Sequence, residues 1–258
     1  MFRKNKIFII TAIAGISNFI ATAQDNQIHP MITDRPDATE SPTVVPLHTL
    51  QIETGGAYKE FEDGPFKLTE TVYNTTLLRY GLFKTMELRL GWDVLNADNG
   101  VTSETGLNPI LMGAKIGIVE ENGLLPEIGF LGHIYHSFAA AEAFETETTG
   151  TDFRFSFAHT LSEKSAIAYN LGMEWRDDNP EGAYVYTLSY GLSLTEKIGF
   201  YAELYGNLPE SSSPNHLWDA GFTYLAKPLI QFDATVGTGI NTNQKLLVSM
   251  GVSIRLPR

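Results

Sequence analysis

The 258-residue chain contains no cysteine. It can therefore form no disulfide, no thiolate metal site and no cysteine nucleophile. Basic residues are also scarce, because 18 Lys and Arg stand against 30 Asp and Glu. Nucleic acids and anionic lipid surfaces are bound through basic side chains, so this charge balance argues against both as electrostatic partners.

The chain also lacks an apolar run of the roughly 20 residues that a helix needs to cross a bilayer. The apolar run at the amino terminus, residues 7–16, follows three basic residues and precedes Ala21-Thr22-Ala23. This order is typical of a cleaved secretory signal. We therefore predict a signal peptide at residues 1–23. The mature chain, from Gln24, then has 15 basic and 30 acidic residues and a formal charge of −15.

Short segments of alternating hydrophobicity take the place of long apolar runs. In residues 165–175 (SAIAYNLGMEW), large apolar side chains such as Leu171 alternate with small or polar ones such as Asn170. The same alternation recurs at residues 86–93, 152–157, 184–193 and 246–255. A period of two predicts β-strands. A large aromatic face opposite a face of small and charged residues is typical of a transmembrane barrel, with lipid outside and polar groups inside.

We therefore predict an all-β fold, a transmembrane antiparallel up-and-down β-barrel of about 12 strands within residues 47–258. The predicted strands are 50–58, 70–80, 86–94, 109–118, 125–137, 152–161, 165–175, 183–194, 198–206, 216–225, 229–237 and 245–255. Tight links alternate with long ones along the chain. The long links, 95–108, 138–151 and 207–215, are predicted to be solvated external loops.

The inward register of these strands contains charged side chains, which we predict to line a narrow lumen. Its predicted bases are Arg79, Arg89, Lys115 and Arg154. Its predicted acids are Glu53, Glu87, Glu127, Asp152, Glu174, Glu203, Asp219 and Asp233. Two interpretations are open: a paired network that only stabilises the barrel, or unpaired groups that filter solutes. Because acids outnumber bases, the second interpretation favours cations or neutral solutes over anions.

Residues 24–46 contain four prolines and no strand alternation, so we do not assign them to the barrel wall. Their candidate binding side chains are Asp34, Arg35, Asp37 and Glu40. Two alternatives are open for this segment. It is either a periplasmic lead outside the barrel or an ordered arm whose carboxylates dock on lumen-facing arginines such as Arg79 or Arg89.

An outer-membrane lipid hydrolase is a rival function, because His133, His136 and Ser137 lie close together in sequence. However, His136 and Ser137 fall on opposite faces of the predicted strand, and no G-x-S-x-G motif surrounds them. Phosphate-loop, H-E-x-x-H and calcium-loop motifs are absent too. We predict no catalytic residue, no metal site and no cofactor. A sealed structural or adhesive barrel remains a further alternative.

Several motifs resemble a family of outer-membrane proteins named for the MetA pathway of phenol degradation. They are TDRPDATESP at residues 33–42, LQIETG at 50–55, LRYGL at 78–82, ELRLG at 87–91 and QFD at 231–233. The resemblance implies an outer-membrane channel or transporter for small solutes, including hydrophobic or aromatic ones, and it favours the docked arm. The implied partners are outer-membrane lipid, a small-molecule solute and, during biogenesis, the barrel-assembly machinery.

Overall fold

The computed structural model describes residues 31–256. The predicted signal peptide at residues 1–23, the first seven residues of the predicted arm and the last two residues of the chain lie outside this range. Within it, no helix combines the length and the apolar composition needed to cross a membrane. The described helices are two short 3-10 segments, Ser137–Ala139 and Glu142–Phe144.

Thirteen β-strands make up most of residues 31–256. They are β1 (Leu50–Asp63), β2 (Phe66–Phe83), β3 (Met86–Asp98), β4 (Ser103–Leu107), β5 (Ile110–Val119), β6 (Glu127–His136), β7 (Gly150–Ser162), β8 (Ser165–Trp175), β9 (Gly182–Ser193), β10 (Ile198–Pro209), β11 (Asn215–Lys227), β12 (Ile230–Gly239) and β13 (Gln244–Leu256). Neighbours are antiparallel, and β1 pairs with both β2 and β13, which closes the sheet. All strands except β4 form the closed wall, so the predicted twelve-stranded barrel is confirmed.

β4 is an outward extension of the wall. β4 and β5 pair in succession with β3, and Asn108 and Pro109 separate them. Proline cannot donate a ladder hydrogen bond, so it commonly interrupts a strand at such a point. Residues 95–108, predicted from the sequence to be a solvated external loop, contain the end of β3 and the whole of β4, and residues 99–102 form the turn between these strands. Gly100 in this turn has a φ angle of +80°, which glycine adopts without steric cost.

Other strands also extend beyond their predicted ends at the side of the long loops. β1 continues to Asp63 and β2 begins at Phe66, where the sequence pattern places ends at residues 58 and 70. The ion pair between Lys59 and Glu70, at 3.2 Å, joins the extension of β1 to the residue at which β2 was predicted to begin. Polar cross-strand pairs of this kind support strands that project above an apolar band.

The two ends of the barrel differ in the length of their connections. One end has the tight turns 84–85, 163–164 and 228–229 and the connections 120–126 and 194–197. The other end has the short links 64–65 and 240–243, but also the β3–β4 extension and the long connections 137–149, 176–181 and 210–214. In outer-membrane barrels the short turns are periplasmic and the long loops are external. β1 therefore begins at the periplasmic end.

The alternation seen in the sequence separates the two faces of each strand. On β8, Leu171 has 53% of its surface exposed, whereas its neighbour Asn170 has 0%. Outward-facing residues elsewhere are also large and apolar, for example Phe155 on β7 and Leu188 on β9. These side chains form the surface that meets lipid.

Replacement of Leu171 by arginine is expected to lower the free energy of unfolding in lipid by about 2 to 4 kcal/mol, because it places a cation near the bilayer midplane. Urea titration of protein refolded into vesicles measures this change. Asn170 is a poor control, since it is buried against the interior. Ala166→Arg is a better one, because Ala166 lies on the same strand, on the inward register and exposed at the periplasmic mouth. Equal losses in both variants would contradict the assigned faces.

Candidate functional site

Residues 31–46, called the arm from here on, lie inside the barrel. Near one end of the arm the carbonyl of Ile32 accepts a hydrogen bond of 2.8 Å from Gln51, at the periplasmic start of β1. At the other end the carbonyl of Pro46 accepts one of 3.0 Å from the Thr49 N–H. Between these points the arm contacts inward-facing side chains of ten wall strands, namely β1, β2, β3, β5, β6, β7, β8, β9, β10 and β12. The arm thus rises from the periplasmic mouth and returns to it.

Three bases of the wall converge on one carboxylate of the arm. Arg79 on β2, Arg89 on β3 and Lys115 on β5 are 0%, 3% and 0% exposed. Asp34 Oδ2 lies 3.1 Å from Arg79 Nη1, 2.7 Å from Arg89 Nη1 and 2.7 Å from Lys115 Nζ. Because Arg79 and Arg89 are direct cross-strand neighbours, their like charges would destabilise the sheet without a carboxylate between them.

Further carboxylates complete this base-rich wall. Glu87 accepts two hydrogen bonds from Arg79, at 2.8 and 3.0 Å, and Glu53 accepts one at 2.9 Å. Glu40 of the arm accepts two from Arg89, at 2.9 and 2.8 Å. Bidentate arginine–carboxylate pairs are strong and geometrically specific. The arm therefore supplies two of the four carboxylates that neutralise the three bases.

The opposite wall has an excess of carboxyl groups. Glu203 on β10 and Asp219 on β11 are direct cross-strand neighbours, and both are buried. Asp37 of the arm lies against these two carboxyl groups. The base on this side is Arg154 of β7, whose Nη1 donates to the carbonyl of Ala38 at 3.3 Å. This acid-rich wall consequently lacks the charge compensation of the opposite side.

Arg35 occupies a slot lined by glycine. Its Nε and Nη2 donate to Asp233 of β12 at 3.2 and 2.9 Å. Gly55 on β1 and Gly251 on β13 are cross-strand neighbours, and a Cβ atom at either position would collide with the Arg35 guanidinium. Glycine at these positions therefore provides the space in which Arg35 reaches Asp233.

The remaining predicted acids of the lumen have separate partners. Glu127, at the periplasmic end of β6, accepts a hydrogen bond of 2.9 Å from the hydroxyl of Thr43. Asp152 on β7 lies 3.0 Å from Nδ1 of His133. Glu174 accepts one of 2.8 Å from an asparagine of β10 near the external mouth. The structure places all three on the inner face, but not with the three converging bases.

Neutral residues of the inner face also hold the arm, and the sequence-based set does not include them. Asn170 donates to the backbone carbonyl of Glu40 at 2.8 Å and accepts from its N–H at 2.7 Å. The hydroxyls of Thr187 and Thr39 are 2.8 Å apart. Both wall residues, Asn170 and Thr187, lie on the inward register, so the alternation in the sequence predicts that they face the lumen. A search restricted to charged residues passes over them.

A cavity of about 430 Å³ lies between the arm and the external mouth. Arg89 and arm residues form part of its lining, together with Leu77, Leu111 and Tyr135 of the wall. Asp93 and Asp177 add two carboxyl groups at its external side. Burial raises the pKa of Asp177, which lies in the connection between β8 and β9, above its usual value. This external vestibule thus offers apolar surface beside negative charge.

The side chains considered for lipid hydrolysis form hydrogen bonds with other groups and not with one another. His136 Nδ1 accepts from the N–H of Phe138 at 3.1 Å, and Ser137 Oγ accepts from the N–H of Thr146 at 3.1 Å. His133 faces Asp152 on the inner wall. In the part of the chain that the structure describes, no group of three or more His, Cys, Asp or Glu side chains is placed to hold a metal ion.

Outer-membrane barrels are among the solved structures that the chain resembles. The COG4313 outer membrane channel from Pseudomonas putida F1 is 11% identical with a TM-score of 0.65, over 83% of this chain and 97% of that one. The CymD monoaromatic hydrocarbon channel is 10% identical with a TM-score of 0.47, over 82% and 90% of the two chains. The Ralstonia pickettii toluene transporter TbuX is 8% identical with a TM-score of 0.44, over 81% and 89%. No curated protein matches the chain.

The first of these likenesses agrees with the closed barrel. A family model matches residues 33–256, a span that starts in the arm and ends in β13. The match therefore includes both the arm and the wall that it contacts. This outer-membrane β-barrel belongs to the family described as "Putative MetA-pathway of phenol degradation".

Proposed function

We propose that the protein is an outer-membrane channel for small solutes, closed at rest by the arm. The observation that carries this proposal is that a separate segment of chain lies across the interior, in contact with the inward-facing side chains of the wall. Small barrels are ordinarily filled by their own inward-facing side chains. Here the wall has glycine where the arm lies, as at Gly55, Gly129 and Gly251, where a Cβ atom would meet arm atoms.

The lining of the vestibule indicates which solutes the channel admits. Leu77, Leu111 and Tyr135 provide apolar surface, and carboxylates outnumber guanidinium groups around the cavity. Carboxylates in a narrow passage attract cations and repel anions, because a low local dielectric strengthens their field. Small neutral or cationic solutes with an apolar part fit this lining. The name of the Pseudomonas putida F1 relative, an outer membrane channel, accords with the proposal.

Reversal potentials across a planar bilayer, in a salt gradient, test this function. We expect spontaneous openings of the intact protein to prefer cations. The double variant Asp93→Asn/Asp177→Asn should weaken that preference, because it neutralises two carboxyl groups of the vestibule. Glu104→Gln, at an exposed position on β4, is the matched control and should leave it unchanged. Clear anion preference in the intact protein would overturn the charge assignment.

Export through a cleaved signal at residues 1–23 is part of the proposal. Its support is the order of basic, apolar and small residues in that segment. Amino-terminal sequencing of protein purified from outer membranes should begin at Gln24. A mature protein that retains Met1 would show that the segment is not removed.

A further inference from the structure

The middle of the arm forms a loop that is tied at its base. The N–H of Ser41 donates to Oδ1 of Asp34 at 3.0 Å, which joins the two ends of residues 34–41. These two ends of the loop also bind the base-rich wall, because Asp34 and Glu40 both contact Arg89 and Lys115. Charge-assisted contacts in a buried site are strong. The base of the loop is therefore an anchor on β3 and β5.

Residues 36–39, called the tip, cross the lumen from this anchor to the opposite wall. The N–H of Ala38 donates to Glu203 Oε2 at 2.7 Å. The hydroxyl of Thr39 donates to the other carboxylate oxygen of Glu203 and lies 2.8 Å from the hydroxyl of Thr187. Arg154 donates to the carbonyl of Ala38 at 3.3 Å. Thr187 contacts the tip through a neutral hydroxyl. Arg154 is charged, but it bonds only to a backbone carbonyl of the tip. The tip thus has fewer charge-compensated contacts than the anchor.

Asp37 adds a third carboxyl group to the pair Glu203 and Asp219 on the acid-rich wall. The next residue, Ala38, donates its N–H to Glu203 at 2.7 Å, and Glu203 is the cross-strand neighbour of Asp219, so the carboxyl group of Asp37 is near both acids. The titratable and charged groups around this cluster are Arg154 and Asp152 on β7, Tyr201, Glu203 and Tyr205 on β10, and Asp219 on β11. Oδ1 of Asp219 is buried and has no hydrogen-bond partner among residues 31–256. Three carboxyl groups that share one buried site cannot all be ionised without strong repulsion.

We propose that the tip is a hinged gate. It closes the acid-lined half of the lumen while Asp37, Glu203 and Asp219 share protons, and it swings away when they lose them. The anchor stays bound in both states, because Asp34 and Glu40 remain paired with Arg89 and Lys115. Opening exposes a path along Glu203 and Asp219 that suits cations. This inference rests on the proposed channel function.

A disulfide across the gate tests the proposal directly, because the chain has no cysteine of its own. In Thr39→Cys/Thr187→Cys the two sulfur atoms replace hydroxyls that are 2.8 Å apart. Oxidation should lock the tip and abolish most openings, and a reductant should restore them. Each single-cysteine variant is the control and should respond to neither reagent. A cross-linked protein that still opens would overturn the gate, as would cysteines that fail to cross-link.

The pH response gives a second and independent test. Openings of the unmodified protein should become more frequent from mildly acidic to alkaline conditions, as the carboxyl cluster loses protons. Asp37→Asn removes one of its three charges, so this variant should remain closed over the same range. Glu60→Gln changes a carboxylate outside the cluster, which bonds with Tyr58, and should keep the normal response. An unchanged pH response in Asp37→Asn would contradict the proposal.

Failure of the gate can be distinguished from failure of the channel. A barrel without the arm should conduct whether or not the tip is a gate. If that barrel is silent, the proposed function is wrong. If it conducts while the oxidised double-cysteine variant opens normally, only the gate is wrong.

Discussion

Replacement of Arg79 by alanine is expected to lower the free energy of unfolding by about 3–5 kcal/mol, the range for breaking a buried ion pair by removal of one partner. Arg79 is fully buried and lies within 3.1 Å of carboxylate oxygens of Asp34, Glu53 and Glu87. Alanine leaves all three buried carboxylates without this partner. The cost therefore exceeds the loss of packing alone. Urea titration of the refolded protein in vesicles measures it.

A surface ion pair on the same strand provides the control. Lys67 on β2 pairs with Glu62 at 2.7 Å, and 73% of its side chain is exposed. Solvent screens such pairs, so Lys67→Ala should leave stability almost unchanged. If the two variants lost equal stability, the interior network would contribute no more than a surface contact. That result would contradict the role assigned to the base-rich wall.

Deletion of residues 24–46 is expected to raise single-channel conductance strongly. The arm crosses the lumen between the base-rich and acid-rich walls, so its removal opens space that the wall side chains do not fill. Cation preference should weaken, because the deleted segment contains one base, Arg35, and four acids, Asp25, Asp34, Asp37 and Glu40. The deletion also leaves Arg89 and Lys115 of the wall without their carboxylate partners on the arm. Bilayer recordings of intact and shortened proteins, refolded under the same conditions, provide the comparison.

A full-length variant separates release of the arm from loss of chain. Asp34→Ala/Glu40→Ala removes both carboxylates that anchor the arm on Arg89 and Lys115. This variant should also raise conductance, although its chain keeps the full length of 258 residues. Conductance that stays low in both variants would mean that the arm is not the closing element, and a sealed structural barrel would then be the better interpretation.

Much of the wall can be predicted from the sequence because the pattern behind it is local. Side chains of a strand alternate between two faces, so the position of Leu171 relative to Asn170 determines which of them meets lipid. The same rule places Arg79, Arg89 and Glu203 on the inner face, where the structure has them. Strand length is less well encoded. Alternation weakens above the apolar band, and the continuation of β3 and β4 beyond the bilayer leaves little hydrophobic signal.

The pairing of the interior groups depends on tertiary structure alone. Asp34 meets Lys115 across a separation of 81 residues, and Ala38 meets Glu203 across 165. Such contacts depend on closure of the barrel and on the height of each side chain within it, and no periodicity along the chain encodes either. The sequence by itself determined a two-faced barrel wall and an arm excluded from that wall. Only closure of the barrel decided that the arm joins a base-rich wall to an acid-rich one, because that step brings charges that are distant in sequence into one buried interior.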